Sequence, residues 1–481
     1  MENKMKNSVY LTATISVLMA AAGVSAAELW IGAAEADITP DRPVALSGQF
    51  RTRISDGILS RCKANILALE SREAGQPTDC AILVSCDLVG IRPADMQRFR
   101  AFVAPRLPGF DTNKLFLAAT HTHTGPVTGQ EQYDGYRDAM QPKEYVPFMF
   151  ERIAGAVVKA WESRKSGSMA WGLGYAVVGH NRRSVYADGS AVMYGTTDRP
   201  DFRNSEGNED HAVDFLYFLN ADRRLVATVI TLGCPSQEVE NLSKISADFW
   251  GDVRDELRRR HGGDLTVLGF CAPAGDQSPR PMIRKSAEAR MDKLRKLTRT
   301  QELARRIVLA FEETWAVAQN DIRNDVPFAH RVERFSLPGR KVTEEECAVA
   351  KGKLATGMEY ARKLWFKSAV DRFEAQQKAE PLCPIEMHVL RLGDVAIATN
   401  PFELFYDYAM QIQGRSPAGQ TVLIQLASPD PAGIAGKYLP TPRAVKGGGY
   451  SAVVESSPVG PEGGQVLVER TVEVIRQIFK K

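Results

Sequence analysis

The sequence carries no excess of charge of either sign: 61 Lys+Arg stand against 58 Asp+Glu, a formal net charge of +3. No long basic run with interleaved aromatics occurs, which argues against nucleic acid as a partner. Beyond the N-terminus no stretch is apolar enough to cross a bilayer. The seven cysteines, Cys62, Cys80, Cys86, Cys234, Cys271, Cys347 and Cys383, form no close-spaced framework, and their odd number leaves at least one unpaired within the chain. A chain of 481 residues, 44% of them hydrophobic, buries a large core and needs no disulfides to hold it. Repeats, low-complexity tracts and clear linkers are also missing. These absences point to an α/β protein: one large mixed-sheet domain with helical insertions, spanning residues 27–481.

What is present begins with an export signal. Lys4 and Lys6 make a charged start, Val9 to Val24 is apolar and small, and Val24-Ser25-Ala26 fits a small-x-small cleavage site. Residues 1–26 therefore read as a signal peptide, and the mature chain as exported, periplasmic or secreted.

Alternation and periodicity predict the elements. Strands are expected at 28–40, 61–70, 81–86, 169–179, 265–270 and 422–426. Hairpins are expected at 212–232 and around Gly393-Asp394. Helices are expected at 91–105, 143–164 and 246–260, from about Phe402, and at 465–480, with two long charged helical stretches at 284–319 and 343–378.

The chain is organised around Leu115-Phe116-Leu117-Ala118-Ala119-Thr120-His121-Thr122-His123-Thr124-Gly125-Pro126. An apolar run of strand length ends in two histidines and a Gly-Pro turn. Strand side chains alternate faces, so His121 and His123 are expected to point the same way. Ligands in open α/β sheets sit beyond the carboxyl ends of strands. Two imidazoles there can hold a metal, or one can hold it while the other moves protons. Further polar strand ends follow: Gly233-Cys234-Pro235-Ser236-Gln237-Glu238, then Cys271-Ala272-Pro273-Ala274-Gly275-Asp276-Gln277-Ser278-Pro279, then Asn400-Pro401-Phe402-Glu403, and the loop carrying Lys437-Tyr438, with Tyr450 beyond it. Catalytic groups gather on such loops over a rigid sheet.

In their order along the chain these motifs resemble those of the neutral ceramidases, zinc-dependent amidases that cleave the N-acyl bond of ceramide. The shared elements are Ala-Asp-Ile-Thr-Pro, Ala-Thr-His-Thr-His-Thr-Gly-Pro, Asn181-Arg182, Ser-Ala-Asp, Gly-Asp-x-Ser-Pro, Pro-x-Glu and Tyr-x-x-Thr. The resemblance covers about residues 30 to 460 and matches the catalytic domain; the family's immunoglobulin-like C-terminal domain has no counterpart in this sequence. It implies that His121, Glu403 and Tyr438 ligate zinc. It also implies that Ser278 is the nucleophile and that His123, Arg182 and Tyr450 serve catalysis.

One position departs. Where the family has a second zinc histidine before proline, this chain has Cys234 before Pro235. A thiolate is a good zinc ligand, so Cys234 is the expected fourth ligand, with Gln237 or Glu238 as substitutes. A thiolate would also make the metal a weaker Lewis acid than imidazole does. Asp87, Asp248 and Asp276 are expected to cap helices or support the site.

The implied function is hydrolysis of an N-acyl amide bond in a ceramide-like lipid or another small N-acyl substrate, with zinc as cofactor. Amide hydrolysis needs a polarised carbonyl, a nucleophile and a proton donor for the leaving amine. Two alternatives stand beside it. One is a zinc deacetylase or esterase acting on an N-acyl sugar or other polar substrate. The other is a binding protein that kept the fold and lost the metal.

Overall fold

Strand residues of opposite parity pack into two different cores, and this decides the layering. The structure, a computed structural model, describes residues 27–130 and 132–480. The expected signal peptide, residues 1–26, lies outside them. Eight strands form the larger sheet. Their spatial order is Thr266–Cys271, Leu225–Leu232, Ala212–Leu219, Lys165–Tyr175, Glu28–Asp37, Lys63–Glu73, Gln76–Cys86 and Leu115–Ala119. The first and last neighbouring pairs are parallel and the five between them antiparallel, so the sheet is mixed. A second sheet has four strands, Phe328–Pro338, Leu382–Leu392, Val395–Thr399 and Gln420–Ile424, the last pair parallel.

The two sheets stack face to face. Leu67, Leu69, Leu83, Phe116 and Ala118 from the first share one apolar cluster with Leu390, Val395, Ile397, Val422 and Ile424 from the second. The intervening residues Ile66, Ala68, Val84, Leu117 and Ala119 face the other way, onto helices Pro93–Val103 and Pro142–Glu162. Both faces of these strands are therefore apolar, as the unbroken run at 81–86 predicts. Helices Phe249–His261 and Arg299–Ala318 cover the rest of that outer face. Tyr406–Arg415 and Pro461–Phe479 cover the second sheet, giving a helix–sheet–sheet–helix stack. Gly32 shows how closely helix Pro142–Glu162 approaches: a Cβ there would lie 1.9 Å from the Ala160 carbonyl oxygen.

Some expectations shift. The stretch 284–319 is two helices, Lys285–Arg295 and Arg299–Ala318. Lys296 turns left-handed between them (φ +56°), and Thr298 with Gln301 forms a capping box that restarts the helix. The stretch 343–378 likewise divides into Glu344–Leu354 and Tyr360–Gln376. The helix expected from Phe402 begins only at Tyr406, because Glu403–Leu404 pairs as a short parallel strand with Tyr438–Leu439. Strand Phe328–Pro338 was not apparent in the sequence pattern. Its residues are mostly half-buried or exposed, and it lies at the sheet edge. Among the described residues no helix is long and apolar enough to cross a membrane.

Candidate active site

Backbone conformation, more than strand alternation, brings the histidine pair together. The strand ends at Ala119, and His121 lies past it in the left-handed region (φ +67°). His121 Nδ1 lies 2.6 Å from the Val89 carbonyl oxygen, which accepts its proton and leaves the Nε2 lone pair facing inward. That Nε2 is 3.3 Å from His123 Nε2 and 3.4 Å from Glu403 Oε2. Glu403 is held by the parallel pairing that sets it directly beside Tyr438.

His123 is hydrogen-bonded through Nε2, and its buried Nδ1 faces a carboxylate at ion-pair distance without a hydrogen bond. The Gln237 amide donates to Nε2 at 2.7 Å, and Nδ1 lies 3.0 Å from Glu240 Oε2. The Gln237 amide is oriented by Arg182, whose Nη1 donates to Oε1 at 3.0 Å. The His123 ring lies against Gly48, where a Cβ would be 2.4 Å from Cγ. Burial holds the His123 imidazole below its ordinary range despite Glu240, so it is a neutral base at pH 7. Burial alone would raise the Glu403 carboxyl. His121 and Arg182 outweigh it, and the group sits below the usual carboxylate range.

Arg182 is fully buried at the centre of this array. Its Nη2 donates to the Gly275 carbonyl at 3.0 Å and to the Tyr438 hydroxyl at 3.3 Å, and lies 3.7 Å from Glu403 Oε2. Tyr438 meets Tyr450 edge-on with ring centroids 5.7 Å apart, and Tyr450 in turn packs on Trp365 and Phe50. Ser278 is buried in the short ladder that pairs Gln277–Ser278 with His180–Asn181. Its hydroxyl is 3.2 Å from Tyr194 Oη, which is itself 3.3 Å from Gln237 Oε1 and from Arg182 Nη1. Ser278 thus joins the array through Tyr194, with neither histidine among its hydrogen-bond partners.

A cavity of about 550 Å³ opens onto these groups. His121, His123, Glu403, Tyr438 and Tyr450 line it together with Phe50, Tyr133, Leu364 and Trp365, and Arg92, Gln130, Gln132 and Lys437 add polar wall. Arg182, Ser278 and Cys234 do not form part of that wall.

Cys234 is not gathered with the other expected ligands. It is 1% exposed, in the apolar cluster of Ala176, Val178, Leu232 and Phe249. Its sulfur faces the carbonyls of Val178 at 3.7 Å and Pro235 at 3.5 Å, and burial pushes the thiol well above its ordinary range. Those surroundings are the ones a structural core cysteine has, whereas the expected zinc role needs a thiolate facing the other donors. The physical cause is the turn after Leu232, which sends Cys234 inward and brings Gln237 to the histidines.

Of the other expected ligands, His121 Nε2 and Glu403 Oε2 lie 3.4 Å apart, and the Tyr438 hydroxyl shares Arg182 Nη2 with Glu403. Three protein ligands with room left for water or substrate is the pattern of catalytic zinc sites, so these residues fit such an ion. The three aspartates support the frame. Asp87 takes both Arg254 nitrogens at 2.6 and 2.9 Å, Asp248 caps helix Phe249–His261, and Asp276 accepts from Asn181 and from the Tyr406 amide. Sequence reasoning missed Tyr194, Glu240 and Gly48. The run Gln237-Glu238-Val239-Glu240 was a readable signal, since polar residues continue directly from the Cys-Pro turn.

The chain has a neutral ceramidase-like fold. The crystal structure of neutral ceramidase from Pseudomonas aeruginosa matches it with a TM-score of 0.67, covering 94% of this chain and 75% of that one at 19% identity. A structure described as ceramidase complexed with C2 matches with a TM-score of 0.63, covering 94% and 76% at 17% identity. No protein-family model and no curated protein sequence matches the chain.

Proposed function

We propose that the protein is an exported metal-dependent hydrolase of N-acyl amide bonds, with His121, Glu403 and Tyr438 holding zinc. The observation that carries this is that His121 Nε2 lies 3.3 Å from His123 Nε2 and 3.4 Å from Glu403 Oε2, on the wall of the cavity. The ceramidase-like fold supports it. When bound, zinc would supply Lewis-acid polarisation of the scissile carbonyl.

The residues of the chain divide the remaining work. His123, neutral and oriented by Glu240, takes a proton from the attacking group at Nε2 and returns it to the leaving amine. The Gln237 amide that occupies Nε2 must give way to substrate. Tyr450, on the cavity wall, donates a hydroxyl towards developing negative charge. Arg182 holds Gln237 and Tyr438 in place and adds positive charge behind them. Phe50, Leu364 and Trp365 exclude water and offer an apolar surface to an acyl chain. This favours an N-acyl lipid over an N-acyl sugar.

Ser278 is the proposed nucleophile, with Tyr194 as its contact to the array. A second reading is favoured by one observation: Ser278 is fully buried and absent from the cavity wall. In that reading water attacks and Ser278 positions Tyr194. The test is turnover of N-acylsphingosines of short and long chain beside an N-acetyl sugar, with wild type, Ser278→Ala and His123→Ala. His123→Ala loses on the order of 10²-fold or more in either case. Ser278→Ala does so only if serine attacks, and retention of most activity selects water. No turnover of any N-acyl substrate by zinc-loaded wild type refutes the hydrolase reading.

A further inference from the structure

Apart from the cavity, one group of side chains has the composition of a metal site. His180, Glu209 and His211 place three potential ligand atoms within 4.8 Å of one another, and among the described residues they are the only His/Cys/Asp/Glu trio to do so. Glu209 Oε2 stands 3.3 Å from His180 Nδ1 and 3.1 Å from His211 Nε2. Donors bound tetrahedrally to zinc at 2.0–2.1 Å lie about 3.3 Å apart, close to both Glu209 spacings, and the two imidazole nitrogens lie within 4.8 Å of each other.

Two further features separate the trio from an ordinary surface ion pair. One carboxylate oxygen faces both imidazoles, which meet near edge-on with ring planes at 76°. Among the described residues Glu209 is also the only hydrogen-bond partner of the His180 ring, whose Nε2 is buried without one. Among the described residues the hydrogen bonding of that ring therefore runs through Nδ1 to Glu209 alone.

Chain geometry makes the trio a clasp between separate segments. His180 lies opposite Ser278 in the short antiparallel ladder and precedes Asn181-Arg182. Glu209 and His211 flank Asp210 just before strand Ala212–Leu219, and the Ala176 amide donates to the His211 carbonyl. The side-chain exposures of 12%, 33% and 34% leave an entry path from solvent.

We propose that His180, Glu209 and His211 form a second metal site, taking a divalent ion of the zinc type and clamping the ladder that carries Ser278 to the 207–211 loop. Two neutral imidazoles and one carboxylate are borderline-soft donors that suit zinc, copper or nickel over magnesium or calcium. The bound ion leaves one or more positions to water.

The experiment is metal binding to purified, chelator-stripped full chain at pH 7.5, with zinc as probe. Zinc per chain is counted, and copper(II) is bound in parallel for its nitrogen-coupling pattern in electron spin resonance. Variants are His211→Ala, Glu209→Gln and, as a separate control, Glu403→Gln. Wild type is expected to hold one more zinc than His211→Ala or Glu209→Gln, with affinity at this site falling at least about a hundredfold. Zinc should raise the wild-type melting temperature more than that of either variant. Glu403→Gln should keep this zinc and the two-nitrogen copper spectrum. That separates failure here from failure at the cavity. Equal zinc content and equal zinc-induced melting shifts in wild type, His211→Ala and Glu209→Gln overturn the proposal, whatever Glu403→Gln does.

Discussion

Cys234→Ser discriminates a ligand from a core residue, because the two roles predict different losses. The sulfur faces the Val178 and Pro235 carbonyls at 3.7 and 3.5 Å inside an apolar cluster. A hydroxyl sits on a shorter bond, farther from both acceptors, in a site that is 1% exposed. Burying it there without a good partner costs about 1–3 kcal/mol. Cys234→Ala removes one heavy atom and adds nothing polar, so it costs about 1 kcal/mol. The core role therefore predicts stability in the order Cys, Ala, Ser, with zinc content unchanged in all three. The ligand role predicts that Ala and Ser both lose zinc, with Ala no better than Ser. Denaturant midpoints for the three proteins, beside zinc per chain by plasma mass spectrometry, distinguish them. Loss of one zinc in both variants, with Glu209→Gln still able to lose another, would refute the placement of Cys234 in the core.

Gly48→Ala pushes a Cβ to 2.4 Å from the His123 ring at a backbone φ of +100°, so activity should fall at least about tenfold while zinc content holds; near-native kcat/KM would show that His123 need not stay where it is. Burial lowers the His123 pKa, so its basic form persists below pH 6.5, and the acid limb of kcat/KM should lie below that value, a limb above pH 7 being contrary. His330 and His388, 2.9 Å apart and fully buried, are held neutral mainly by burial. Their folded pKa values lie below the unfolded value of about 6.5, so their contribution is complete above that pH and is lost as pH falls below it. Glu386, depressed by His388 and Arg100 against its burial, adds a loss below about pH 4.5. Melting temperature should therefore drop from pH 7 to pH 5 and faster below 4.5; a flat profile between 7 and 5 contradicts this.

The sequence by itself determined the strands whose alternation or unbroken apolarity marks them as doubly buried. Residues 81–86 and Leu115–Ala119 are examples, and each resolves by parity onto two cores. It also marked the loops that carry the site, because catalytic groups gather on polar loops past the ends of a rigid sheet and here several such loops follow apolar strands. His121, His123, Glu403, Tyr438 and Tyr450 were named from motifs, and the structure brings them to one cavity wall. Edge strand Phe328–Pro338 escaped because a strand that buries little apolar surface leaves no strong period. Two decisions belonged to tertiary structure alone. The left-handed turn at His121, not pleating, aims the two imidazoles at each other, and a single backbone dihedral leaves no mark on composition or spacing. The turn after Leu232 sends Cys234 into the core and Gln237 to His123. From sequence Cys234 was the better ligand, since its chemistry was right. Its direction depended on how Ala176, Val178 and Phe249, residues far along the chain in either direction, close around it.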